Sequence, residues 1–296
     1  MAAHLIRRVT ILGTGLIGGS FALALRKKLV DVFISGWDRP EVVREKEVRN
    51  AFDETFLGSL GPALAKADLI YVALPIGVTL DLFSEIARHA PASALVTDAC
   101  STKLRIMEEA GQLFGGNING AIFLGGHPMA GKELSGIAAA DADLFRGHSY
   151  ALIAEGDAIA TPTANDPRIA AFVKILEKLG AQPLWIGAQQ HDYAVGLASH
   201  LPQLAAVALA SFLYDRLDEN GLPITLAGPG LRDTLRLAGS PYSTWRDIIL
   251  TNKELLSASL DLFARRLDDL RERLGSRDLE ADFDAANELY KLLHSL

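Results

Sequence analysis

The chain has 296 residues, 49% of them hydrophobic, which is enough for one large or two ordinary domains with sizeable cores. Asp and Glu number 36 against 29 Lys and Arg, a formal net charge of −7, and no segment gathers a block of like charges. That balance argues against a nucleic-acid partner and against an anionic membrane surface.

The opening "MAAHLIRRVTILG" lacks a charged segment leading into an apolar core and a cleavage site, so no secretory signal is expected. A β-type apolar run covers 7–13 and a helical pattern covers 17–28. Between them "GTGLIG" places Gly13, Gly15 and Gly18 in G-x-G-x-x-G spacing, after a strand and at the head of a helix. Gly13 permits the tight turn, Gly15 lets the backbone approach a pyrophosphate, and Gly18 allows close helix–strand packing. The helix N-terminus at Leu16 and Ile17 then faces the phosphates with free N–H groups.

The next strand, 31–38, ends at Asp38, twenty residues past Gly18, where an acid hydrogen-bonds the adenosine ribose. A carboxylate there repels a 2′-phosphate, so NAD is the expected cofactor. Arg39 leaves NADP open, since it either stacks on adenine or holds that phosphate. The plainer alternative is a tight βα turn with Asp38 capping the following helix.

Further apolar strands follow at 68–74, 94–100, 121–126, 149–154 and 183–187, with helical patterns at 79–89, 102–114 and 167–179. Alternation of this kind predicts an α/β, Rossmann-type domain around a mainly parallel sheet covered on both faces. Ligands bind at the carboxyl ends of such strands. Pro75, after "YVAL", and Asp98, in "VTDACSTK", are therefore expected against the cofactor. Ser101 is a candidate site residue, or else it caps the following helix together with Thr102. Cys100, the one cysteine, reads as a small buried residue; a single cysteine forms no internal disulfide, which fits a reducing cytoplasm.

"AIFLGGHPMAGKELSG" sets His127 on a glycine-rich turn at the end of the strand over 121–126. Histidine has the ordinary pKa best suited to proton abstraction near neutrality, and alcohol dehydrogenation needs a base while hydride leaves carbon. The glycines are expected to leave room for substrate and nicotinamide, and Glu133 either faces the same cavity or is an ordinary loop glutamate. The alternative for His127 is a solvent-facing loop histidine.

After Gly187 the strand patterns stop, and helical stretches follow at 189–217, 230–238, 242–255, 256–274 and 278–294. The expected division is a dinucleotide-binding domain over 1–187 and an all-helical domain over 188–296. Apolar residues on more than one helix face predict a partner surface as well as a core. The long apolar run at 194–213 contains His200, Pro202 and Gln203, which are costly in lipid, so a buried core helix is expected rather than a membrane span. Arg232 and Arg236, four residues apart, suit carboxylate capture, or join Asp233, Arg246 and Asp247 in a structural ion-pair network. His200 reads as a substrate contact or a satisfied core histidine, Trp245 as a pocket wall or ordinary packing. No H-x-x-x-H or C-x-x-C cluster points to a metal.

Six segments, "LGTGLIGGSFALAL", "GWD", "TDACSTK", "GGHPMAGKELSG", "HDYAVGLASHLPQLAA" and "LRDTLRLAGSPYSTWRDI", resemble in order those of the prephenate/arogenate dehydrogenases of tyrosine biosynthesis, over nearly the whole chain. The resemblance implies a Rossmann-type NAD-binding domain, a helical dimerisation domain with a likeness to a homodimer, and an active site between the two. It implies oxidative decarboxylation of prephenate or arogenate, with no metal. His127 is similar to the catalytic histidine on the ring hydroxyl, and Ser101 to the serine that assists it. His200, Arg236, Arg232, Glu133 and Trp245 resemble substrate-lining positions, Arg236 holding a carboxylate. One departure is "ACSTK", where relatives often carry glycine before the serine; Cys100 is expected to shift Ser101 slightly. Prephenate is the favoured substrate, and no appended regulatory domain is expected. Two rivals remain: a 3-hydroxyacid dehydrogenase using a helical lysine such as Lys253 or Lys291, and a non-enzymatic NAD sensor.

Overall fold

The computed structural model describes residues 6–29, 31–43, 50–115, 120–132, 134–153, 166–217, 221–276 and 278–295. Six strands, β1 (Arg8–Leu12), β2 (Phe33–Trp37), β3 (Glu54–Phe56), β4 (Leu69–Val72), β5 (Leu95–Asp98) and β6 (Ile122–Leu124), form one sheet in the order β3-β2-β1-β4-β5-β6. Every pairing in it is parallel. The order reverses between β1 and β4, so a crevice opens past their carboxyl ends.

Continuous apolar strands are explained by cover on both faces. Helices α1 (Leu16–Lys28), α2 (Pro40–Val43), α3 (Leu60–Leu64), α4 (Ile76–His89), α5 (Leu104–Phe114) and α6 (Pro167–Leu179) flank the sheet. Ile11 and Tyr71 join Phe21 of α1 and Phe172 of α6 in one core. Leu12, Ile70 and Val72 join Leu64, Phe83 and Ile106 of α3, α4 and α5 in the other. Alternation along each strand divides its side chains between the two cores. The ends of α6 follow from local chemistry: Asp166 accepts the Arg168 N–H, Pro167 opens the first turn, and Gly180 closes it at φ 84°.

The sequence predicts that 121–126, 149–154 and 183–187 continue one mainly parallel sheet. Instead the chain leaves it after β6. β7 (Gly126–Pro128) pairs antiparallel with β8 (Ser149–Ile153), and β8 pairs parallel with β9 (Gln182–Ile186) in a separate three-stranded sheet. Glycine makes the departure possible. A Cβ on Gly125 would lie 2.7 Å from Met107 Sδ, and one on Gly126 2.7 Å from the Asp98 carbonyl oxygen. These two glycines therefore admit protein rather than ligand, which corrects the expectation for them; Gly131 and Gly136 do border open space. The buried hydroxyls of Tyr71 and Tyr150, 3.2 Å apart, link the two sheets.

Beyond β9 the described elements are helical: α7 (Ala188–Val195), α8 (Leu201–Tyr214), α9 (Leu222–Thr225), α10 (Pro229–Leu235), α11 (Tyr242–Thr251), α12 (Lys253–Glu272) and α13 (Glu280–His294). The single helix predicted over 189–217 is interrupted by a π turn at Gly196–His200. Pro202 supplies the reason, because it has no N–H to return to the preceding turn. The span Ala188–Tyr214 is long and apolar enough to cross a membrane by length and composition. The expectation of a buried core helix needs correction: in α8 only Gln203 and Ala206 are buried, while Phe212 is 50% and Tyr214 75% exposed. No described element of the same chain covers that face. The helical part is fastened to the sheet by α11, where Ile248 enters the second core and Asp247 accepts the Gly77 N–H at 2.9 Å.

The glycine turn gives a paired stability prediction. A Cβ at Gly18 would sit 1.9 Å from the Gly13 carbonyl oxygen, whereas one at Gly15 meets nothing within 4 Å. In denaturant unfolding, Gly18→Ala is expected to lose about 1–3 kcal/mol or more, and Gly15→Ala to keep a midpoint close to that of the parent. Equal behaviour of the two would contradict the packing account.

Candidate active site

The three fingerprint glycines occupy three different environments. Gly13 has φ 92°, donates its N–H to the Trp37 carbonyl at 2.9 Å, and leaves no space for a Cβ, which would lie 2.4 Å from the Ala73 carbonyl oxygen. Gly15 stands at the N-cap of α1 with no side chain capping the helix and with open space beside it. The N–H groups of Leu16, Ile17 and Gly18 therefore have no partner inside the helix. An uncapped helix end beside a glycine with open space fits a pyrophosphate.

Asp38, nearly buried, accepts the Thr14 N–H at 2.7 Å and the Thr14 hydroxyl at 3.1 Å, and its other oxygen accepts the Arg39 N–H at 2.8 Å. The carboxylate is thus tied back to the glycine turn rather than spent on α2. Arg39 is exposed, with Glu41 at 3.5 Å. Pro75 is exposed at the head of α4, one strand over from Gly13. Asp98 differs from expectation. It has no exposed surface, and its oxygens accept the Cys100 N–H (2.9 Å), the Gly126 N–H (3.0 Å) and the Lys103 ammonium. It is a structural anchor, out of a cofactor's reach.

Lys103 is equally buried and also donates to the Gly126 carbonyl at 2.6 Å. The Asp98–Lys103 pair therefore grips both backbone groups of the residue before His127. Neither Ser101 nor Thr102 caps α5. Asp192, from α7, does so: its carboxylate accepts the Lys103 N–H at 2.7 Å and the Leu104 N–H at 2.8 Å. Thr102 instead meets the Thr251 hydroxyl at 2.7 Å, and Ser101 stays half-buried just past β5. The Cys100 thiol turns away into the second core, 3.5 Å from the Thr79 hydroxyl, and burial pushes its pKa well up.

His127 is half-buried on β7, directly after Gly126, which Asp98 holds at the carboxyl end of β5. Its Nδ1 lies 2.9 Å from Nε2 of His191, whose Nδ1 lies 2.8 Å from the Asp192 carboxylate. Burial, then His191, Lys103 and His200, holds the His127 pKa well below 6.5. His200 ends the π turn, buried; Trp245 stands edge-on to it at 5.8 Å between ring centroids, and Asn252 reaches its Nδ1 at 3.2 Å. Burial pushes the His200 pKa down to about 4, with Asp192 opposing and His191 assisting. Both imidazoles are neutral at neutral pH.

Arg232 and Arg236 are exposed, Arg236 opening a 3-10 turn (Arg236–Gly239) after α10. Gln203 fastens that turn to the His200 helix by donating to the Leu237 carbonyl at 2.9 Å. Of the residues named for a structural ion-pair network with these arginines, Arg246 and Asp247 meet each other at 2.8 Å. Glu133 lies outside the described residues. Lys253 is exposed, and so is Lys291, which pairs with Glu288 at 2.7 Å. Sequence reasoning missed His191, Asp192, Lys103 and Asn252. The adjacent His and Asp of "HDY" were the available signal.

A nucleotide cradle at the carboxyl end of a Rossmann-type sheet, and a neutral imidazole on the strand that leaves that sheet past the end of β5, meet the needs of a nucleotide-dependent dehydrogenase, which must hold a hydride acceptor and a base. Residues 21–184 match the prephenate dehydrogenase nucleotide-binding domain, and residues 187–294 the prephenate dehydrogenase dimerization domain. A prephenate dehydrogenase of Lactococcus lactis is 34% identical over 93% of this chain and 73% of its own length. A cyclohexadienyl dehydrogenase of Zymomonas mobilis is 29% identical over 92% and 90%. The crystal structure of Aquifex aeolicus prephenate dehydrogenase in complex with hydroxyphenyl propionate and NAD+ superposes with a TM-score of 0.85 at 26% identity, covering 98% of both chains. The chain belongs to the prephenate dehydrogenase family.

The Asp98–Lys103 pair gives a testable consequence. Lys103→Ala leaves a buried carboxylate without its cation and is expected to cost about 3–5 kcal/mol in denaturant unfolding. A loss below about 1 kcal/mol, the range of exposed pairs, would contradict the anchoring role.

Proposed function

We infer that this protein carries out the NAD-dependent oxidative decarboxylation of prephenate to 4-hydroxyphenylpyruvate, or of arogenate to tyrosine, in tyrosine biosynthesis. The observation that carries the reading is His127: a neutral, half-buried imidazole held by His191 past the carboxyl end of β5, in a chain of this family. Bound at the glycine turn, NAD supplies the hydride acceptor. Gly15 and the α1 N-terminus hold the pyrophosphate, and Asp38, pre-set by Thr14, takes the ribose hydroxyls and favours NAD over NADP. Arg39 decides how strict that preference is.

His127 takes the proton of the ring hydroxyl as hydride leaves the same carbon. Rupture of the ring-carbon–carboxylate bond then releases CO2 and sends an electron pair through the ring to the oxygen. The protonated His127 returns the proton there, so no net proton is consumed. Ser101 assists at the hydroxyl. Arg236 holds a substrate carboxylate, with Arg232 beside it, while His200 and Trp245 line the pocket. The names of the relatives favour prephenate as the first substrate to test.

The chain is read as two units, 1–187 and 188–296, with the second pairing with its copy in a homodimer. Support comes from the dimerization-domain match and from apolar side chains left exposed on the helices, among them Phe212, Leu262, Phe283 and Tyr290. A reducing, cytoplasmic setting fits a chain whose one cysteine is buried.

Two outcomes follow. In an NADH absorbance assay with prephenate, arogenate and 3-hydroxyacids, activity is expected with prephenate, with arogenate or with both, and not with the 3-hydroxyacids, and His127→Asn is expected to lower kcat by roughly 10²–10⁴-fold with NAD binding nearly intact. Wild-type turnover in that variant would remove His127 as the base. The second concerns pH. The base must be unprotonated, and the folded environment lowers its pKa below 6.5, so the unprotonated form persists below that pH. The acid limb of kcat/KM is therefore expected below pH 6.5, and a limb at or above it would contradict the buried, neutral His127.

A further inference from the structure

A base of this kind needs its lone pair on a defined nitrogen. His127 Nδ1 is engaged by His191, so Nε2 is the atom left for substrate, but only if Nδ1 carries the hydrogen. The hydrogen bonds beyond it decide that polarity. Asp192 accepts two backbone N–H groups at the head of α5, so its carboxylate has acceptor roles to fill. The His191 ring nitrogen facing it, 2.8 Å away, must therefore donate. With its ring hydrogen on Nδ1, His191 presents Nε2 to His127 as an acceptor, and His127 donates from Nδ1.

We propose that Asp192 and His191 are positioning residues that fix His127 as its Nδ1–H tautomer, making Nε2 the atom that takes the ring-hydroxyl proton. The proposal rests on the reading of His127 as the base. Reversing the polarity would require a proton on Asp192, which would weaken the two charge-assisted bonds it accepts from backbone N–H groups, or a second proton on a buried imidazole, which carries a desolvation cost.

The same residue sets the neighbouring imidazole the opposite way. The Asp192 carbonyl accepts from Asn252 Nδ2 at 3.0 Å, which fixes the direction of that amide. The second Nδ2 hydrogen then points at His200 Nδ1, 3.2 Å away. His200 therefore carries its hydrogen on Nε2 and is a donor, suited to a carboxylate or carbonyl oxygen of substrate. The charged and titratable groups packed around His127 fit this scheme. Lys103, from the head of α5, is neutralised by Asp98 of β5; His200 comes from the π turn, and His191 and Asp192 from α7. None offers His127 Nδ1 a competing acceptor.

The test compares His191→Leu with His191→Gln in the full-length protein. Leucine fills the space without an acceptor. Glutamine reaches the Nε2 position with an amide oxygen that accepts from His127 and an N–H that serves Asp192. In His191→Leu, kcat is expected to fall by about 10²-fold or more, with substrate KM and NAD affinity within about threefold. In His191→Gln, kcat is expected to return to within about tenfold of wild type. Unchanged kcat in the leucine variant, or equal losses in the two, would overturn the proposal. A nitrogen-15 spectrum of the histidines in the wild-type protein reads the tautomer without turnover. Hydrogen on His127 Nδ1 supports the proposal, and hydrogen on Nε2 overturns it. A wild-type protein inactive on prephenate and arogenate would instead refute the functional reading, and the spectrum would still decide the tautomer.

Discussion

The Asp192 carboxylate is the contact on which the site depends. One of its oxygens accepts from the Lys103 N–H and from His191, and the other from the Leu104 N–H. Through the backbone it caps a helix of the nucleotide-binding part; through His191 it reaches His127. Its own carbonyl, by way of Asn252, reaches His200. Helix capping, attachment of the helical part and the orientation of two imidazoles thus converge on one residue. A charge-assisted bond from a carboxylate to backbone N–H groups is stronger than a neutral one, and burial keeps water from competing.

The second support is the Asp98–Lys103 pair beneath the turn. A buried ion pair adds little net stability compared with apolar packing, but it is costly to break. Its use here is positional, because it holds both the N–H and the carbonyl of Gly126 and so fixes where β7 begins. The odd turn "GGHP" becomes intelligible in this light. Gly125 and Gly126 let β7 pass against Met107 and the β5 backbone, and His127 is carried out of the main sheet toward α7.

Local requirements were legible in the amino-acid sequence, and distant ones were not. The glycine turn was readable because positive φ, an open helix end and tight packing are needs that a few adjacent residues reveal. The two-sided sheet was readable because its strands are continuously apolar. β3 was not, since "ETF" is short and polar and is held in place by its pairing with β2. The separate three-stranded sheet escaped notice because a glycine does not say which neighbour approaches it. Asp98 looked like a ligand-edge carboxylate until Lys103, five residues on, claimed it. His191 and Asp192 acquire meaning only from partners 64 and 88 residues away.

The most direct measurement is a crystal structure of the protein with NAD+ and a non-reacting ring-hydroxyl analogue of the substrate. The account predicts the ring oxygen within hydrogen-bonding distance of His127 Nε2, with Nδ1 still held by His191. A ring oxygen placed on another residue, or a His127 ring rotated off His191, would contradict it.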